Sequence, residues 1–87
     1  MTLTLSIGGT AMATIEGSEI FSVLTVVGRR KVGRGYSYTA TCDRDGARAL
    51  YAYCAGNGRM LATEAEADLR SEGRALLAVA ERIAQLL

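Results

Sequence analysis

Residues 20–27 read IFSVLTVV, and how they fold decides the arrangement of everything around them. The run is rich in β-branched residues and carries apolar side chains at both parities. Phe21, Val23, Thr25 and Val27 would share one face of a strand, and Ile20, Ser22, Leu24 and Val26 the other. β-Branched side chains favour the pleated sheet, and a strand apolar on both faces is central, covered on both sides or lying at an interface. On this reading Ile20–Val27 is the third strand of a sheet. If nothing in the chain covers the second face, one of the two sets is left exposed as an apolar strip, a mark of binding sites; ordinary β-propensity is the alternative source of the same pattern.

Towards the N-terminus, Gly17-Ser18 has the form of a two-residue hairpin whose first position takes positive φ. It joins the run to a strand at Ala11–Glu16. Gly8-Gly9 interrupts the chain before that. Thr2–Ile7 alternates strictly, with Leu3, Leu5 and Ile7 on one side and Thr2, Thr4 and Ser6 on the other, the period of a half-buried strand. Towards the C-terminus, Tyr36–Cys42 alternates again, Tyr36, Tyr38, Ala40 and Cys42 opposite Ser37, Thr39 and Thr41. Four strands joined by short turns make an antiparallel sheet the simplest arrangement.

Two helical segments follow. Ala47, Leu50, Tyr51 and Cys54 fall at helical spacing, Asp43 is placed to cap the N-terminus, and Gly56 to end the helix in the left-handed conformation. A fifth strand between Asp45-Gly46 and Asn57-Gly58 is the alternative for this stretch. Thr63-Glu-Ala-Glu66 has the form of a capping box. Beyond it Leu69, Gly73, Leu76, Ala80, Ile83 and Leu87 form one stripe. Gly73 lowers helix propensity by about 1 kcal/mol relative to alanine, so its place in the stripe implies close backbone approach, against the sheet or a second copy of the helix. The expected fold is therefore α+β, one domain over residues 1–87: a four-stranded antiparallel sheet with two C-terminal helices on one face, ββββαα. The heptad spacing leaves monomer and homodimer both open.

The totals are those of a soluble globular chain: 87 residues, 49% hydrophobic, 22% charged and a net charge of +1. No run reaches the roughly 20 apolar residues of a membrane span, and the N-terminus lacks the basic region of a signal peptide. The expected location is the cytoplasm. With no histidine, the usual general base at neutral pH is missing, and with it the usual activation of serine or cysteine. Cys42 and Cys54 stand outside metal-ligand spacing and read as small buried hydrophobes. The pairs Glu16/Glu19 and Asp43/Asp45 are accounted for by turn and cap chemistry. The chain reads as a non-enzyme with no catalytic residue, cofactor or metal.

Two features remain for binding. Gly28–Tyr36, GRRKVGRGY, places Arg29, Arg30, Lys31 and Arg34 among three glycines and ends on Tyr36. Residues 29–48 hold six basic side chains against two acidic, whereas from Arg59 onward there are four basic and five acidic. Basic side chains beside an aromatic suit single-stranded nucleic acid; without a wider basic face such binding is weak and salt-sensitive, and a protein-binding or merely solvated hairpin loop is preferred. Tyr53 lies off the Tyr51 helix face beside AGNG and is a candidate interface anchor.

The order of these elements resembles that of the small phage anti-CRISPR proteins, type I inhibitors with a four-stranded sheet and two helices. The likeness runs from about Ala11 to Gly58 through IEGSEIFSVLTVV, the basic loop, a strand ending at Cys42, and DRDGARALYAYCAGNG. It implies a protein that acts by occlusion in the host cell, binding a CRISPR surveillance complex and blocking DNA access or nuclease recruitment. Its contacts would fall to the sheet, the Arg29–Arg34 loop and Tyr53. The basic loop sets the chain apart from the strongly acidic DNA-mimic members. A small nucleic-acid-binding module using residues 28–36 is the alternative.

Overall fold

A computed structural model of the chain describes residues 2–9, 11–17, 19–27, 30–31 and 37–87. The elements in order are β1 (Thr2–Ile7), β2 (Ala11–Glu16), α1 (Glu19–Val27), β3 (Arg30–Lys31), β4 (Ser37–Cys42), α2 (Arg44–Ala62) and α3 (Ala67–Leu86). The expected ββββαα order and all-antiparallel sheet are both overturned. Three six-residue strands, with the two-residue β3 at one edge, form a mixed sheet in the order β2-β1-β4-β3. β1 pairs antiparallel with β2, Leu3 opposite Ile15, and parallel with β4, Leu3 beside Tyr38. Among the described residues there are three helices, one short and two long.

The decisive difference is IFSVLTVV, which is helix α1 and not a strand. Ile20, Val23 and Leu24 fall at i, i+3 and i+4 and are 0%, 0% and 6% exposed. Burying each contributes about 1.5–3 kcal/mol, which outweighs the few tenths per residue that β-branching costs a helix. Phe21 and Val26 lie outward, and Thr25 satisfies its hydroxyl by donating to the Phe21 carbonyl at 2.8 Å. Gly17 does take positive φ, 94°, but it starts a helix, its carbonyl accepting from the Ile20 N–H at 3.3 Å.

With α1 lifted out of the sheet, β1 becomes a central strand. Leu3, Leu5 and Ile7 are at most 2% exposed and lie beneath the helices with Ile15 and Ala40. The other sheet face carries Thr2, Thr4 and Ser6, in register with Ser37, Thr39 and Thr41 on one side and with Glu16, Thr14 and Met12 on the other. The described residues extend only 17 Å along the shortest axis, one sheet and one layer of helices. The turn after β1 is built on Gly8 and Gly9 at φ 62° and 84° and is tied to β4 by Gly8 N–H donating to the Cys42 carbonyl at 3.0 Å.

Asp43 caps α2, its Oδ1 accepting from the Gly46 N–H at 2.7 Å. The helix does not end at Gly56; it runs through AGNG to Ala62. The reason lies in α3, which packs antiparallel-hairpin fashion along α2. A Cβ at Gly58 would stand 2.9 Å from the Gly73 carbonyl oxygen, and one at Gly73 would stand 2.4 Å from the Ala62 nitrogen. The two glycines let the backbones touch. Gly73 thus approaches α2, neither the sheet nor a second copy, and the stripe Gly73, Leu76, Ala80, Ile83 is buried within the chain. Thr63 is the C-cap of α2 and not the start of a capping box: its hydroxyl donates to the Met60 carbonyl at 2.9 Å. α3 begins after Glu66, which makes no side-chain cap bond. Arg70 holds the connection instead, Nη1 donating to the carbonyls of Glu64 and Ala65.

Candidate partner-binding surface

Of the residues singled out in the sequence, Arg29, Arg34 and Tyr36 lie outside the described residues. Arg30 and Lys31 form β3, whose backbone pairs with Thr39 and Tyr38 at the edge of the sheet. Tyr53 stands on α2, 38% exposed. The structure therefore places Tyr53 on a different element from the basic residues.

What surrounds Tyr53 follows from helical geometry. α2 buries Ala47, Leu50, Cys54, Ala55 and Gly58. On the opposite side Ala49, Tyr53, Gly56 and Met60 recur at spacings of 4, 3 and 4, all exposed, with Ala52 alongside. Met60 is 58% exposed. The stripe is uncharged between Arg48 and Arg59. Arg48 pairs with Asp45 at 3.0 Å in the first turn, an exposed contact that contributes little to stability. Asn57 Nδ2 donates to the Tyr53 carbonyl at 2.9 Å. A helix this clean on its outer face offers a large aromatic, a flexible thioether and three small residues that admit close approach.

In the sequence a helix ending at Gly56 leaves Met60 off the Tyr53 face; the stripe Ala49, Tyr53, Gly56, Met60 forms because α2 continues to Ala62. The signal was there in the second set of 4-3-4 spacings, offset from the buried one. Phe21, 47% exposed, and Val26, 37% exposed, add apolar area on α1.

The remaining reactive groups are quiet. Burial raises the Cys42 thiol pKa, with the neighbouring Asp43 carboxylate adding to it. Burial pushes fully buried Cys54 up to about 11. Both thiols are protonated at neutral pH, and a protonated thiol is neither nucleophile nor metal ligand. Among the described residues no group of three or more His, Cys, Asp or Glu is placed to hold a metal ion, and no helix is long and apolar enough to cross a membrane. Comparison with known proteins gives no match to any protein family, curated protein or solved structure.

Proposed function

We propose that this chain is a small non-enzymatic protein that works by binding another protein through the outward face of α2, with Tyr53 as anchor. The supporting observation is the uncharged stripe Ala49–Tyr53–Gly56–Met60 on the side of α2 opposite its core. Tyrosine supplies large, stiff contact area, and methionine adapts to the surface it meets. An apolar stripe of this length fits a groove or a second helix on the partner. The narrower form of the reading is an anti-CRISPR protein, with a subunit of a type I surveillance complex as the partner and occlusion as the mode of inhibition.

Purified type I surveillance complex, treated with nuclease, is passed over immobilised chain, either wild type or Tyr53→Ala/Met60→Ala. Retention by wild type that the paired variant loses supports both forms. Retention that the variant keeps removes the α2 face as the contact. No retention by wild type ends the anti-CRISPR form. The broader form then stands on whether cross-linking from Tyr53 in cells captures a protein that the paired variant fails to bind.

A further inference from the structure

The sheet has two edges, and they are unequal. Among the described residues β3 offers two, whereas β2 offers six. An edge of that length presents unpaired N–H and C=O groups to any incoming strand. Which groups point outward is fixed by one contact. Arg82, exposed on α3, donates from Nη1 to the Thr14 carbonyl at 2.7 Å. The Thr14 carbonyl therefore faces away from β1. By the alternation of an antiparallel ladder, Met12 and Glu16 present their backbone groups to the same free edge. The Arg82 contact joins residues 68 apart, while the bonds of Arg48, Asn57, Thr63 and Arg70 stay within six. Arg82 also forms the shared wall of two clefts along that edge, one with Met12, Gln85 and Leu86, the other with Thr14 and Glu16.

We infer that Arg82 is a guard on the β2 edge, and that the partner it holds off is β2 of a second copy of this chain. The self-complementarity of the strand argues for that occupant. An antiparallel pairing about a two-fold axis at Thr14 sets Thr14 opposite Thr14 and Met12 opposite Glu16 of the other copy. It is the one register in which all three free-edge residues pair among themselves, each pair exchanging both backbone bonds. No like charges oppose in it, since Glu16 meets Met12, and Ala13 gains Ile15 of the other copy as its neighbour. The Thr14 carbonyl lies at the centre of this ladder, and Arg82 occupies it. The guanidinium must leave before the strands can join.

Sedimentation at micromolar concentration tests this with wild type, Arg82→Met, which keeps the stem and loses the donors, and Arg82→Gln, whose shorter side chain falls short of Thr14. Wild type is expected at the monomer mass of 9.2 kDa, and both variants at twice that, with dimerisation tightened about tenfold or more. Amide exchange at Met12, Thr14 and Glu16 slows in the variant dimer by a similar factor. A wild type that is already dimeric through β2, a folded variant that stays monomeric, or a variant dimer in which those three amides exchange as fast as before overturns the inference. Both variants retain an exposed side chain, and unchanged far-UV circular dichroism confirms that either is folded.

Discussion

Replacing Gly73 by alanine adds one methyl group at the most closely approached of the described glycines. That methyl would stand 2.4 Å from the Ala62 nitrogen, 2.7 Å from the Gly58 oxygen and 2.8 Å from the Leu61 carbonyl carbon. All three atoms are backbone, so no side chain can rotate away. Restoring a contact of 3.4 Å requires α2 and α3 to part by 3.4 − 2.4, about 1 Å. A gap of that size forfeits a quarter to a half of the dispersion energy across the seam. Overpacking of this kind costs roughly 1–3 kcal/mol, and a clash with backbone belongs at the upper end. Alanine returns about 1 kcal/mol of helix propensity, leaving a net loss of about 2 kcal/mol. Gly56 is the control. It lies in the same helix pair with nothing within 4 Å of its added Cβ, so Gly56→Ala collects the propensity gain alone, up to about 1 kcal/mol. In urea, with m about 1 kcal/mol/M, the midpoint is expected to fall by about 2 M for Gly73→Ala and to rise by up to about 1 M for Gly56→Ala. Equal shifts at the two positions, or a Gly73→Ala variant more stable than wild type, would refute the backbone-contact argument.

Helix α1 makes its own test. Val23→Asp places a charge where exposure is 0% and should abolish cooperative unfolding, whereas Phe21→Asp, on the outer side at 47% exposed, should cost far less; a strand would put Val23 and Phe21 on one face and give the two variants the same outcome. Asp43→Ala removes the cap on Gly46 and should lower stability by about 1 kcal/mol, read as the shift in urea midpoint. Tyr53→Ala/Met60→Ala should change stability by less than about 0.5 kcal/mol yet weaken partner binding by roughly 30-fold, about 2 kcal/mol for a tyrosine anchor, measured by titration calorimetry. The Cys54 thiol, raised from 9.0 to about 11, binds its proton more tightly folded than unfolded. Its contribution is therefore full below pH 9 and falls as pH rises from 9 towards 11; stability against urea that is flat across this window would contradict the assignment.

The sequence carried the buried face of β1 and the cap and buried face of α2, the faces because each was written in a simple period. Leu3, Leu5 and Ile7 alternate, and Ala47, Leu50 and Cys54 step by helical turns. It also carried the close approach at Gly73, though not its target. The misreading of residues 20–27 had a physical source. Ile20, Val23 and Leu24 satisfy the helical period, but five β-branched side chains among eight residues outweighed it on propensity, a preference that burial overrides. Losing that strand also hid the parallel pairing of β1 with β4, since a helix between two hairpins turns the last strand to run beside the first. Gly56 and Gly58 misled in a related way: glycine marks helix ends and helix crossings alike, and only the position of α3 separates them. In the sequence Tyr53 reads as a lone aromatic, and its stripe exists only because α2 reaches Ala62.

The chain divides its labour by order along the sequence. Of the described residues, those up to Cys42 supply the sheet and α1, and those after Asp43 supply the long helical hairpin. On the ribosome the apolar side of Leu3, Leu5 and Ile7 is therefore synthesised well before the helices that shield it. β1 itself waits for β4, thirty-five residues later (37 − 2), before its second flank is filled. A chain truncated after Ala62 would carry the strands with only part of their helical cover, a species prone to stick to its neighbours. Completion of α3, brought to rest on α2 at Gly58 and Gly73, is the step that covers that surface.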